Sequence, residues 1–238
     1  LNNKLKIIQS QKPDKPGDLN INLQLKSTSV GIEYAKDLNC KFILKTRTDC
    51  RIYKPNIIKY FKSLILQFPG RDVSERILAG NIATCMFRTY GLTDIILFGR
   101  TELMEKYFFY EEEDKIISKY SFPKTKIINE TAIRAEILLC ARYLKNINHE
   151  LLWSINDWWN CLNKYFCIFS CEEIDFFWKK YHWEYEKKLS RSYGQKMNRL
   201  VDFSDWLNIF SDKNYYNNYE YKESWVSKDG MLKKKSIM

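Results

Sequence analysis

The segment from residue 20 to residue 46 constrains the fold most. Leu25, Thr28, Ile32 and Ala35 recur on one face of a helix running from Asn20 to about Leu38. Residues 41–46 follow as a short apolar run without turn residues, which predicts a buried strand, since the run is too short for a helix. A helix that feeds a buried strand is half of a β-α-β unit, so an α/β architecture is expected.

Further along, "PNIIKYFKSLILQF" (55–68) predicts a helix with Pro55 in its first turn. "RILAGNIATCMF" (76–87) is expected to supply one or two strands, and "DIILFG" (94–99) another. Thr101 is expected to cap a short helix, and Asn129 a longer one striped by Ile133, Ile137, Ala141 and Leu144. "KLKII" (4–8) reads as a short strand before the breaker-rich "QKPDKPGD".

After residue 146 the composition shifts toward Trp, Tyr, Phe and Lys, and 150–166 and 171–189 both read as helices. Ser170 is the expected cap of the second, with Glu172 and Glu173 in its first turn. The expected organisation is an α/β core over 1–146, a helical extension packed on it over 147–225, and a basic flexible tail over 226–238. Seven Trp, sixteen Tyr and fourteen Phe within a 45% apolar chain support a substantial core and exclude global disorder.

The formal charge of +10 favours contact with polyanions, or reflects surplus surface lysine, and charge alone does not separate these. Seven scattered cysteines suit a reducing cytoplasm better than a disulfide framework. No apolar run approaches the roughly 20 residues that span a bilayer. The two histidines, His149 and His182, have no recognisable spacing to Cys or carboxylates, so neither a histidine triad nor a zinc site is expected. Cys161, Cys167 and Cys171 are expected to be buried thiols. The segment "FFWKKYHWEYEKKLSRSYGQK" reads as a packed helix with a solvated lysine face, ahead of a membrane-surface or nucleic-acid reading.

The predicted strand of residues 41–46 ends in a knot of charge, "KTRTDCR", holding Lys45, Arg47, Asp49 and Arg51. In open α/β sheets ligands gather outside the carboxyl ends of the strands. A carboxylate there can hold a divalent ion that bridges two phosphates, with neighbouring cations neutralising the same phosphates. The competing reading is a structural ion-pair cluster, and spacing alone favours it, because Arg51 stands where a second carboxylate would be expected.

The residues around the knot carry more. "NINLQLKSTSVGIEYAKDLNCKFILKTRTDCRIY" resembles the WavE family of lipopolysaccharide and capsule biosynthesis proteins, read as glycosyltransferases of the GT-A type. The matching positions are Asn22, Gln24, Ser27, Thr28, Gly31, Ala35, Lys45, Arg47 and Asp49. Downstream, "GLTDIILFG" is similar to the family's Ser-Asp-Trp segment at Asp94 and Gly99, and "NETAIRAEILL" to its Pro-Glu-Gln segment at Glu130. The resemblance spans roughly residues 5–170.

It implies a GT-A-like mixed sheet flanked by helices, preceded in the family by a β-α unit that this chain, beginning at Leu1, enters after. It implies transfer of a sugar from a nucleotide-diphosphate donor to a bacterial surface polysaccharide, with Mn2+ or Mg2+ as cofactor. Asp49 would hold the metal and diphosphate, with Arg47 assisting. Lys45 is expected to pair with a nearby carboxylate, and Gln24 and Ser27 to reach the donor or to pin the loop. Glu130 and Asp94 compete as the general base that takes the acceptor hydroxyl's proton. The acceptor glycan would be lipid-linked and the protein cytoplasmic, peripheral on the inner membrane face. The alternatives are a degenerate or truncated non-catalytic protein that binds carbohydrate or nucleotide and, behind it, a nucleic-acid binder.

Overall fold

The computed structural model describes residues 5–70, 75–112, 134–179, 199–212, 214 and 215. Within them the chain is mixed α/β, with a mixed four-stranded sheet, a two-stranded ribbon and helices around both.

Helix α1 (Ile21–Asp37) buries Ile21, Asn22, Leu25 and Ile32. Strand β1 (Phe42–Lys45) follows after a short turn, as expected. Strand β2 (Cys50–Ile52) and helix α2 (Ile57–Gln67) come next, then β3 (Ile77–Gly80) and β4 (Leu97–Arg100). The 76–87 stretch supplies one strand. Helix α3 (Thr101–Tyr107) starts one residue earlier than expected, so Thr101 is its first helical residue. Its hydroxyl donates to the Cys40 carbonyl instead of capping the helix. Helix α4 (Ala135–Asn146) buries Ile137, Ala141 and Leu144; Asn129 and Ile133 lie outside the described residues. Residues 5–8 form no strand.

Sheet order is β1-β4-β3-β5, where β5 is Phe166–Phe169. β4 runs antiparallel to both β1 and β3, whereas β3 and β5 are parallel. β1 is an edge strand, with no described partner on its outer side. The ribbon pairs β2 with β6 (Phe176–Trp178), setting Trp178 opposite Cys50.

The segment after 146 corrects the helical expectation. Helix α5 (Ile155–Tyr165) is present, but the chain passes without a break into β5, and 171–174 is a single 3-10 turn before β6. Phe166–Phe169 is apolar throughout and all four residues are buried, so it fits a strand covered on both faces, here the parallel partner of β3 at the end of the sheet, better than a one-sided helix. Ser170 makes no side-chain cap and accepts from the Phe203 amide instead. Helix α6 (Phe203–Ser211) follows behind a capping box of Asp202 and Asp205. Three buried tryptophans tie this half to the rest: Trp158 donates to Cys85 O (2.9 Å), Trp159 to Met86 O (2.8 Å), and Trp206 to Leu162 O (3.1 Å) and Phe166 O (3.0 Å). The expected extension thus contributes both a strand and anchors to the core.

Helix α5 has a true side-chain cap, Ser154 Oγ accepting from Asp157 N at 3.1 Å. Replacing Ser154 with alanine leaves that amide without its partner and is expected to lower the unfolding free energy by about 1 kcal/mol. Urea denaturation checks it; an unchanged midpoint would show that the cap carries no weight here.

Candidate functional site

The β1–β4 register places Lys45 opposite Leu97, so the chain just before β4 emerges at the carboxyl end of β1. The irregular stretch between β3 and β4 is almost wholly buried, and threonine hydroxyls satisfy its backbone. Thr84 Oγ1 donates to Gly80 O (2.8 Å) and accepts from Thr93 N (3.1 Å), while Thr93 Oγ1 accepts from Ile95 N (3.1 Å). These bonds hold Asp94 between Thr93 and Ile95.

Three residues singled out in the sequence meet there. Lys45 Nζ donates to the Asp94 carbonyl oxygen, and Gln24 Nε2, from α1, donates to Asp94 Oδ2 at 2.8 Å. Burial pushes the Lys45 ammonium below its ordinary pKa, against the pull of the Asp94 charge. Lys45 was expected to pair with a carboxylate; its bond goes instead to the Asp94 backbone carbonyl, while Gln24 takes that residue's carboxylate.

A fourth group was missed in the sequence. Glu136, in the first turn of α4, is half-buried, and burial together with the Asp94 charge raises its pKa. The Tyr107 hydroxyl, fully buried and without a described hydrogen-bond partner, feels both carboxylates. Gln24, Lys45 and Asp94 thus meet by hydrogen bonds, and the Asp94 charge reaches Glu136 and the Tyr107 phenol. Glu130 lies outside the described residues. The signal for Glu136 was the same as for Glu130, an acid at the start of an apolar helical stripe.

Arg47 and Asp49 form a second, exposed group beside the first. Arg47 Nε donates to Asp49 Oδ1 at 2.9 Å and Nη2 to Oδ2 at 3.2 Å. Trp178 Nε1 donates to the same Oδ2 at 2.9 Å, and the Arg47 guanidinium lies 5.2 Å from the Trp178 ring centroid. The Arg47 bonds, followed by the Trp178 bond, hold the Asp49 carboxyl well below the usual carboxylate range. The Asp49 bond and charge raise Arg47, and the Asp94 charge reaches it as well, which links the two groups. Arg51 turns away, its Nη1 donating to the Thr48 and Cys50 carbonyls (2.9 and 2.8 Å). Ser27 is exposed, its hydroxyl donating to Gln24 O on its own helix at 3.2 Å, and it does not join the cluster. A recess of about 380 Å³ lined by Glu102, Glu105, Lys106, Phe109 and Asn146 shares none of these residues.

A third constellation runs against the expectation for the histidines. His149, Asp157 and Cys161 lie together, their donor atoms all within 4.8 Å of one another. The i, i+4 spacing of Asp157 and Cys161 on α5 was legible, whereas the loop that brings in His149 was not. Cys161, Cys167 and Cys171 are buried free thiols, as expected. Among the described residues no helix is long and apolar enough to cross a membrane. No protein-family model, curated protein or solved structure matches the chain.

Proposed function

We propose that this chain is a metal-dependent sugar transferase of GT-A type, moving a sugar from a nucleotide diphosphate to a bacterial surface glycan. The observation that supports it is the convergence of Gln24, Lys45 and Asp94 at the carboxyl end of β1, beside the Arg47–Asp49 pair and with Glu136 within reach of the Asp94 charge. That is where open α/β sheets take their ligands. Asp49 would hold Mn2+ or Mg2+ with the donor diphosphate. Its two oxygens are engaged by Arg47 and Trp178, but the Arg47 pair is exposed at both ends, and such pairs are worth about 1 kcal/mol or less. With the ion on Asp49, Arg47 would turn to the phosphate oxygens, one charge-assisted contact exchanged for another. The ion and Arg47 would then oppose the charge that builds on the leaving diphosphate. Asp94 and Glu136 would face the acceptor, one orienting its hydroxyl and the other taking its proton.

Asp49→Asn keeps the volume and the Trp178 contact but removes the charge an ion needs. Calorimetric titration with a panel of nucleotide-diphosphate sugars plus manganese is expected to give a metal-dependent signal for the native chain and none for the variant. An unchanged donor titration in the variant would sink the assignment. The closed Arg47–Asp49–Trp178 group favours a second reading, a non-catalytic carbohydrate- or nucleotide-binding protein. Silence of the native, folded chain across the whole panel selects that reading.

A further inference from the structure

The His149–Asp157–Cys161 cluster is independent of the sheet-end site and has a feature that hydrogen bonding among the three leaves unresolved. His149 Nε2 lies 3.1 Å from Asp157 Oδ1, 3.3 Å from Oδ2 and 3.2 Å from Cys161 Sγ. One ring nitrogen offers either one proton or one lone pair. If Nε2 carries the proton it can donate to Asp157, and the Cys161 thiol then loses it as an acceptor. If Nε2 is bare it can accept from the thiol, and its lone pair then faces an ionised carboxylate. With Nε2 protonated, Asp157 and the weakly accepting Cys161 sulfur share one proton, and with Nε2 bare only the thiol is served.

The geometry points to a zinc-type divalent cation site with His149 Nε2, Asp157 Oδ1 and Cys161 Sγ as its protein ligands. An ion between the three takes one lone pair from each. Nitrogen, oxygen and sulfur donors together suit zinc rather than the hard, oxygen-seeking cations. With metal bonds of about 2.0–2.1 Å to nitrogen and oxygen and about 2.3 Å to sulfur, a tetrahedral site has N–O and N–S edges of about 3.3 and 3.5 Å. The separations here fall short of those edges by a few tenths of an ångström, which a small rotation of the His149 ring supplies. Charge also balances: a divalent cation with one carboxylate and one thiolate makes a neutral cluster, suited to a place where Cys161 is fully buried and Asp157 nearly so.

The surroundings hold each ligand for that task. Tyr90 OH donates to Asp157 Oδ2 at 2.5 Å and Leu152 N reaches the same oxygen at 3.4 Å, which leaves Oδ1 directed at the ion. Tyr165 OH lies 3.4 Å from His149 Nδ1, a partner that takes the Nδ1 proton and turns the Nε2 lone pair inward. The loop itself is fixed by Asn148 in the left-handed region (φ 61) and by His149 N donating to Leu144 O at 2.9 Å. The His149 side chain is 18% exposed, so water can fill the fourth position. A nucleophilic Cys-His-Asp triad does not fit. Such a triad places the acid and the nucleophile on different ring nitrogens, whereas both face Nε2 here, and Cys161 has no exposed surface.

The test uses the full chain, stripped with chelator and reloaded with zinc or cobalt. About one zinc per chain is expected to remain after dialysis, and the cobalt form is expected to show a sulfur-to-cobalt charge-transfer band with the intense visible bands of a tetrahedral ion. Cys161→Ser is expected to remove the charge-transfer band, and His149→Ala to weaken zinc at least about 100-fold in competition with a chromophoric chelator. Tyr165→Phe, which only releases the Nδ1 partner, is expected to weaken it about 10-fold. Cys40→Ser, at the exposed cysteine, and Asp49→Asn are expected to leave the band and the stoichiometry intact. Absence of the band from the native chain overturns the site, and that result does not depend on whether any variant folds. Persistence of the band in Cys161→Ser, or its loss in Cys40→Ser, overturns it equally.

Discussion

Glu136→Gln is expected to lower the proposed sugar transfer by about 10²–10⁴-fold, the range a positioned general base contributes, while leaving donor titration unchanged. Glutamine keeps the shape of the side chain at the start of α4 and removes only its ability to take a proton. The Glu136 carboxyl is pushed above its ordinary pKa first by burial and then by the neighbouring Asp94 charge, which brings a weak base nearer to the working range of an enzyme at neutral pH. The sign of the stability effect separates loss of chemistry from loss of fold. Because the folded-state pKa is raised, the folded chain holds this proton more tightly than the unfolded one. Native stability is therefore greatest below the unfolded pKa and falls as pH rises through the folded one. The glutamine variant lacks that loss, so its melting temperature at pH 7 is expected to equal or exceed the native value. The acidic limb of the rate–pH profile is expected to disappear with the carboxyl. Full turnover in the variant would remove Glu136 from the mechanism, and a variant with a lowered melting temperature would make its role structural.

How far this site was legible depends on the range of the contacts that build it. Helix α1 and strand β1 follow from local periodicity, and the charged knot that ends β1 was visible for the same reason. The meeting of Gln24, Lys45 and Asp94 was not, because it is set by the antiparallel β1–β4 pairing and by a bond from helix α1, across separations of 49 and 70 residues. Trp178, the second partner of Asp49, comes from 129 residues away on a strand that reads as part of a helix. Strand β5 was hidden by its neighbour: α5 ends at Tyr165 and β5 begins at Phe166, with no glycine or proline to mark the change. Burial on both faces then erased the two-residue alternation that identifies a strand. Cys161 looked like a core thiol, and it is buried; what sequence could not supply was the left-handed turn at Asn148 that sets His149 against it.

Trp206→Ala is expected to lower the unfolding free energy by about 3–5 kcal/mol, a large share of what a domain of this size possesses. The indole is fully buried in α6, edge-on to Phe68 at 5.2 Å and stacked with Phe210 at 5.2 Å and Phe203 at 6.0 Å. Its N–H does a second job. The last carbonyls of a helix have no partner within it, and α5 gives way directly to a strand instead of to a capping turn. Trp206 Nε1 answers the carbonyls of Leu162 and Phe166 at that junction. Alanine leaves both a cavity and two buried acceptors without this donor, whereas Trp206→Phe keeps most of the packing and removes only the donor. The phenylalanine variant is therefore expected to lose about 1–3 kcal/mol, and the difference between the two in urea denaturation gives the share due to packing. A phenylalanine variant as unstable as the alanine one would mean that the hydrogen bonds, not the ring stack, hold the junction. The consequence reaches the candidate site, because the chain leaving that junction forms β5 and then β6, which carries Trp178 to Asp49. Loosening α6 is therefore expected to release the Trp178–Asp49 contact before the sheet itself opens, and tryptophan fluorescence at low urea, read against far-ultraviolet circular dichroism, distinguishes that order from a single concerted loss.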